Sequence, residues 1–299
     1  MSKVTLLDGG MGQELLSRSS REVTPMWSAD VMLNEPDLVR DLHRDFILAG
    51  ARVITLNTYT ATVSRLTREG YIDQLENLHN SAMQAAQDAI NMAEIDHVKI
   101  AACLPPLVAS YRPEVSLTFS ESLREYRKLM DLQSAASDIV ICETMSSITE
   151  ALAACTAAKE SDKLVWVALS VQDTSSITSD SRRLRSGELL SDALDAIKQL
   201  QPDAVLLNCS KPEAIDACWP LMQISGLQVG AYANGFTCVE TLYPGDTVEH
   251  LRSRKDLSPQ KYAEHAINWV NRGASIVGGC CEIGPQHIRR IHEALCDEH

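Results

Sequence analysis

Three cysteines carry the chemistry this sequence offers most plainly. Cys209 follows the apolar run Ala204-Val205-Leu206-Leu207-Asn208, and the adjacent Cys280 and Cys281 close Ala274-Ser275-Ile276-Val277-Gly278-Gly279. Each stands where a buried strand should end. Three thiolates gathered there form a three-sulfur zinc site whose fourth position stays open, the pattern of catalytic zinc. Neighbouring side chains of a regular strand point to opposite faces, so Cys280 and Cys281 can aim at one point only where the backbone leaves the β conformation. The two glycines before them are expected to permit that through their torsional freedom. A redox pair is the weaker reading, because a disulfide between adjacent cysteines closes a strained ring.

Other cysteines invite a plainer account, since a buried lone cysteine usually behaves as a small hydrophobe. That is the expectation for Cys103, Cys142, Cys155 and Cys218, while Cys238 and Cys296 take no role. The eight histidines supply neither H-x-H nor H-E-x-x-H, so the ligands of hydrolase-type metal sites are missing. Gly9-Gly10-Met11-Gly12 fits neither the dinucleotide nor the P-loop spacing, and loop geometry is the expected reason for its glycines.

The elements that must position these groups alternate from end to end. Strands are expected at Val4–Asp8, Arg52–Asn57, Val98–Leu104, Asp138–Glu143, Leu164–Val171, Ala204–Cys209, Gln228–Ala233 and Ser275–Gly279. Amphipathic helices fall at Glu35–Ala49, Leu75–Ala93, Ser120–Ala135, Ile148–Glu160, Leu189–Gln201, Glu213–Ile224, Pro259–Asn271 and Pro285–Leu295. Near-continuous apolar strands alternating with helices indicate parallel βαβ units. Eight of them in 299 residues favour a single α/β domain over 1–299, a closed (β/α)8 TIM barrel, rather than an open doubly wound sheet. The long irregular pieces Ser17–Asp30, Pro105–Thr118, Gln172–Gly187 and Asn234–Leu257 each follow a strand, on the face where barrel enzymes carry their sites.

The strand ends meet that expectation. Asp8, Asn57, Glu143, Cys209, Asn234 and the Cys280-Cys281 pair all lie at C-terminal ends of predicted strands. Taken alone, Asp8 would merely order a turn and Glu143 would cap a helix; gathered on one rim they read as a reaction site.

Composition narrows the partners. With 27 basic and 40 acidic side chains the net charge is −13, which disfavours nucleic acid and anionic membrane. No stretch approaches the roughly 20 apolar residues of a membrane span. Nine cysteines, an odd number scattered through apolar segments, together with a strand at the N-terminus, lead us to expect reduced thiols and a cytoplasmic location.

Asp8-Gly9-Gly10-Met11-Gly12, Asn57-Thr58-Tyr59, Glu143-Thr144-Met145, Leu184-Arg185-Ser186-Gly187-Glu188, Asn208-Cys209 and Gly278-Gly279-Cys280-Cys281 together resemble the zinc-dependent homocysteine S-methyltransferases. The family fold is the (β/α)8 barrel. The resemblance implies that Cys209, Cys280 and Cys281 hold Zn2+ as cofactor. It also implies that Asp8 and Glu143 bind the amino group of homocysteine, with Tyr59 near the methyl-transfer region and Asn57 and Asn234 on the substrate rim. The implied reaction moves a methyl group from a sulfonium donor, S-methylmethionine or S-adenosylmethionine, to homocysteine, forming methionine. Betaine or another onium donor, or a different small thiol acceptor, is the alternative, and a non-enzymatic zinc protein is a remoter one. The partners are therefore small molecules. Trp27 and Tyr59 would offer aromatic faces to a cationic donor. The chain departs from the family at Gln13, where threonine is usual, and at Leu104-Pro105-Pro106-Leu107, which lacks a Gly-Pro-Tyr-Gly-like pattern.

Overall fold

The computed structural model describes residues 4–173, 182–239, 242–247 and 251–297. Their strands are β1 (Thr5–Leu6), β2 (Val53–Thr55), β3 (Lys99–Leu104), β4 (Ile139–Met145), β5 (Leu164–Leu169), β6 (Ala204–Asn208), β7 (Val229–Tyr232) and β8 (Ile276–Val277). All neighbours are parallel, in the order β1-β8-β7-β6-β5-β4-β3-β2. The two ends of that row also meet. Leu7 bridges Val53, and Arg52 N–H donates to Leu6 O at 2.8 Å, so the sheet closes into the expected barrel of a single α/β domain.

Side-chain alternation along these strands builds two cores. Leu7, Val53, Ala101, Ile139, Ile141, Trp166, Leu206 and Ile276 fill the barrel, with Cys280 packed against them. Their neighbours Val140, Cys142, Val165 and Leu207 face the helices instead. The inward row of β4 therefore runs Ile139, Ile141, Glu143, and that of β3 runs Ala101, Cys103. A carboxyl and a thiol are thereby delivered to the top of the barrel.

The outer layer contains the eight expected helices: α3 (Pro36–Leu48), α5 (Leu75–Ala93), α6 (Phe119–Gln133), α7 (Ile148–Lys159), α8 (Leu190–Lys198), α9 (Pro212–Ile224), α10 (Pro259–Asn271) and α11 (Pro285–Asp297). Three more, α1 (Met11–Arg18), α2 (Ser28–Asn34) and α4 (Val63–Glu69), occupy stretches without a predicted helix. Each is only two turns long, too short for a periodic apolar stripe to stand out. The piece expected to be irregular over Ser17–Asp30 thus ends inside α2. Part of the Gln172–Gly187 loop lies outside the described residues, so a lid role for it has no structural counterpart here. No described helix is long and apolar enough to cross a membrane.

One buried side chain joins this frame to the C-terminal rim of the barrel. Gln133, at the end of α6, donates from Nε2 to Cys103 O at 3.1 Å, and its Oε1 accepts from Cys103 N–H at 3.0 Å and from Thr58 Oγ1 at 2.9 Å. It serves the backbone of β3 where β2 has ended. Gln133→Met would leave those buried groups unpaired, and we expect a loss of about 2–4 kcal/mol, read by urea denaturation. An unchanged midpoint would contradict this role.

Candidate functional site

The site forms where two glycine loops touch. Gly9 and Gly10 follow β1, and Gly278 and Gly279 follow β8. Gly279 N–H donates to Asp8 O at 2.9 Å, and Gly10 N–H to Ile283 O at 3.0 Å. Neither Gly278 nor Gly279 has positive φ, so torsional freedom does not explain them. Space does. A Cβ on Gly10 would lie 2.6 Å from Cys280 O, and one on Gly278 would lie 2.4 Å from Leu7 Cβ. The glycines let the two loops pack backbone to backbone, which sets Cys280 and Cys281 beside Asp8.

Cys209 arrives by another device. It ends β6 with φ +47°, a left-handed conformation uncommon for a residue with a Cβ. Its carbonyl is held by Arg185 Nη2 at 3.0 Å, and Arg185 is paired with Asp173 at 3.0 Å, both side chains buried. This gives a structural role to Arg185 of the Leu184–Glu188 segment. One residue earlier, Asn208 accepts Thr144 N–H at 3.0 Å and donates to Thr144 Oγ1 at 2.9 Å, tying β6 to the end of β4.

The three sulfurs lie within 4.8 Å of one another. The expectation of nine free thiols needs correction, because Cys209 and Cys280 are joined as a disulfide and the other seven cysteines are free. Cys280 thus pairs across the barrel mouth rather than with its neighbour Cys281. Once reduced, these sulfurs are a soft donor set suited to zinc. The surroundings also call for a cation: burial, and then the charge of Glu143, push the Cys281 thiol up to about 12. A thiolate in that setting needs a positive partner.

Above the sulfurs lies a cavity whose wall includes Asp8, Asn57, Tyr59, Glu143 and all three cysteines. Asp8 is buried; its Oδ2 accepts Thr55 N–H at 2.7 Å. Burial raises Asp8 to about 8, with the hydrogen bond from Thr55 opposing and Glu143 adding. Burial raises Glu143 to about 7. Both acids stand on the wall of the one cavity. Tyr59 Oη and Ser110 Oγ are 2.8 Å apart, and the Asn57 amide donates to Ser28 O at 3.3 Å. Asn234 does not reach the cavity wall; it is fully buried, and its Oδ1 accepts Phe236 N–H at 3.2 Å.

Two residues enter the site that the sequence reading did not place there. Tyr111, in the loop after β3, donates from Oη to Cys209 Sγ at 3.3 Å, with the Arg185 guanidinium 4.7 Å from its ring centre. Cys103, expected only to pack, donates from Sγ to Glu143 Oε1 at 2.9 Å. The inward alternation of β3 is the signal that could have placed Cys103 there. Nothing in the sequence places Tyr111, which depends on the path of a long loop. Cys142, Cys155 and Cys218 do lie in the apolar core.

The chain matches the homocysteine S-methyltransferase family over residues 5–295. It is 28% identical to maize (Zea mays) homocysteine S-methyltransferase 3, over 98% of this chain and 91% of the relative. It is 25% identical to the selenocysteine methyltransferase of Astragalus bisulcatus, over 98% and 93%. Its fold is that of the metallated Escherichia coli homocysteine methyltransferase MmuM, with a TM-score of 0.80 and 22% identity, over 98% of this chain and 96% of that one.

Two outcomes follow from the geometry. Gly10→Ala forces a Cβ against the backbone of Cys280, and should cost about 1–3 kcal/mol while disrupting the thiol cluster. Urea denaturation and thiol titration read both effects, and a variant with wild-type stability would contradict the close-packing account. The second concerns pH. The unfolded chain releases the protons of these acids near pH 4, whereas the folded chain keeps those of Asp8 and Glu143 to about 8 and 7. Over that window the unfolded state binds fewer protons, so stability falls as pH rises. Glu143→Gln should therefore stabilise the ligand-free protein by roughly 3 kcal/mol at pH 8 and hardly at all at pH 4. An equal effect at both pH values would contradict the raised acidity.

Proposed function

The chain belongs to the homocysteine S-methyltransferase family, and from that premise we propose that it transfers a methyl group from a sulfonium donor to the thiol of homocysteine, forming methionine. S-methylmethionine is the first donor and S-adenosylmethionine the second. The observation that carries the reading is the convergence of three cysteine sulfurs with two carboxyls, Asp8 buried and Glu143 half-buried, on one cavity.

In their reduced form, Cys209, Cys280 and Cys281 would hold a zinc ion. When bound, the ion supplies Lewis acidity that keeps an acceptor thiol deprotonated at neutral pH. Asp8 and Glu143, once ionised, bind the acceptor's ammonium, and that cation draws their protons off at a lower pH than in the empty site. Gripping the amino acid at one end orients its sulfur at the other, which removes much of the entropic cost of the encounter. The rings of Trp27 and Tyr59 face the onium group of the donor. The acceptor's thiolate sulfur forms a bond to the methyl carbon as the donor's carbon–sulfur bond breaks. The bonding pair stays on the donor sulfur, which leaves as a neutral thioether, and the thiol proton is released to solvent. Tyr111 steadies Cys209 by its hydrogen bond throughout.

Identity with a selenocysteine methyltransferase favours a second reading, in which a small selenol or another thiol is the acceptor on the same site. Betaine remains the alternative donor.

Reduced protein loaded with zinc should form methionine from homocysteine with one member of a panel holding S-methylmethionine, S-adenosylmethionine and betaine. Activity should fall below pH 7 as Asp8 and Glu143 take up protons. Cys281→Ala should lose both the metal, measured by atomic absorption after dialysis, and turnover by more than about 10³-fold. A fully active Cys281→Ala protein would remove the reading.

A further inference from the structure

Next to the substrate cavity lies a narrow cleft, and the two share Trp27, Ser110 and Leu242 as walls. The cleft holds the most unusual charge among the described residues. Arg65, on α4, is only 6% exposed. Its Nη2 donates to Pro106 O at 3.1 Å and to Ser110 Oγ at 3.2 Å. Its Nε has no partner, and no carboxylate among the described residues pairs with it. Its guanidinium carbon lies 5.5 Å from the Tyr59 ring centre and 6.0 Å from that of Trp27.

The other charged groups of the cleft are already committed. Arg68 is bound to Glu69 at 2.7 Å, and the Asp246 carboxylate accepts Tyr243 N–H at 2.9 Å. Arginine keeps its charge even when buried, and a buried ion without a counter-ion is strongly unfavourable. A guanidinium fork is also the group best matched to a carboxylate. The charge therefore sits directly behind the two rings that would face a cationic donor. A bare onium ion would be repelled there, whereas a zwitterion would bring an anion to the guanidinium.

We propose that this cleft is an anion subsite for the methyl donor, in which Arg65 pairs with the donor's carboxylate while the onium group lies against Trp27 and Tyr59. The donor class is then a carboxylate-bearing onium compound rather than a simple cation. The inference rests on the onium-donor reading above, and it makes Arg65 a specificity residue.

The test is calorimetric titration of the reduced, zinc-loaded protein, without acceptor, with S-methylmethionine, dimethylsulfoniopropionate and glycine betaine, each beside its methyl ester. At least one free acid should bind about tenfold or more tighter than its ester. Arg65→Met should bring that pair to within about threefold by weakening the acid alone, and Arg65→Lys, which keeps a charge but not the fork, should retain an intermediate preference. Equal binding of acid and ester to the wild-type protein for every donor, a failure of all six to bind, or a preference surviving in Arg65→Met would each overturn the proposal. If Arg65→Met fails to fold, the wild-type comparison and Arg65→Lys still decide it. Methionine formation by the same protein keeps the two readings apart. Turnover without any acid preference removes the subsite alone, and an Arg65-dependent preference without turnover removes the homocysteine reaction alone.

Discussion

The contact between the loop after β1 and the loop after β8 governs the rest of the structure. At Gly10 and Gly278 even a methyl group would strike a neighbouring backbone or Cβ atom, so the two chains meet with nothing between them but their peptide groups. That contact sits on top of the β1–β8 pairing of the barrel. It also fixes the distance from Asp8, which ends one loop's strand, to Cys280 and Cys281 in the other. An amino acid held by its ammonium at one point and its sulfur at another requires that spacing to be rigid, and packed peptide planes are less compliant than side chains.

The second theme is charge held in waiting. In the ligand-free protein, burial raises Asp8, Glu143 and the Cys281 thiol toward their neutral forms. In the proposed reaction each becomes an anion beside a cation, a metal ion for the sulfurs and an ammonium for the acids. Arg65 is the reverse case, a buried cation with no carboxylate paired to it among the described residues. A site of this kind lowers the stability of the empty protein and recovers it on binding, which is how strong electrostatic recognition arises in a dry cavity.

Much of this was legible in the sequence. Apolar runs alternating with helical stretches gave the barrel, because strands covered on both faces have little polar alternation to confuse them. Asp8, Glu143 and the three cysteines could be named because a parallel barrel collects its strand ends on one rim. The misreadings have physical causes. Gly278 and Gly279 looked like torsional hinges, yet their purpose is the approach of a chain 270 residues away in sequence, which no local pattern records. Asn234 looked like a rim residue, but its side chain turns to a backbone amide two residues on. Tyr111 and Arg65 were invisible because one depends on the path of a loop and the other on what the fold packs around a guanidinium, and neither property exists before the chain folds.

The central claim is that Cys209, Cys280 and Cys281 present a zinc ion with one position open to the acceptor's sulfur. X-ray absorption at the zinc edge of the reduced protein, with and without homocysteine, addresses it most directly. We predict three sulfur neighbours at about 2.3 Å plus one lighter atom in the free protein, becoming four sulfurs when homocysteine is added. A sulfur count that homocysteine does not change, or a first shell dominated by nitrogen and oxygen, would contradict the account.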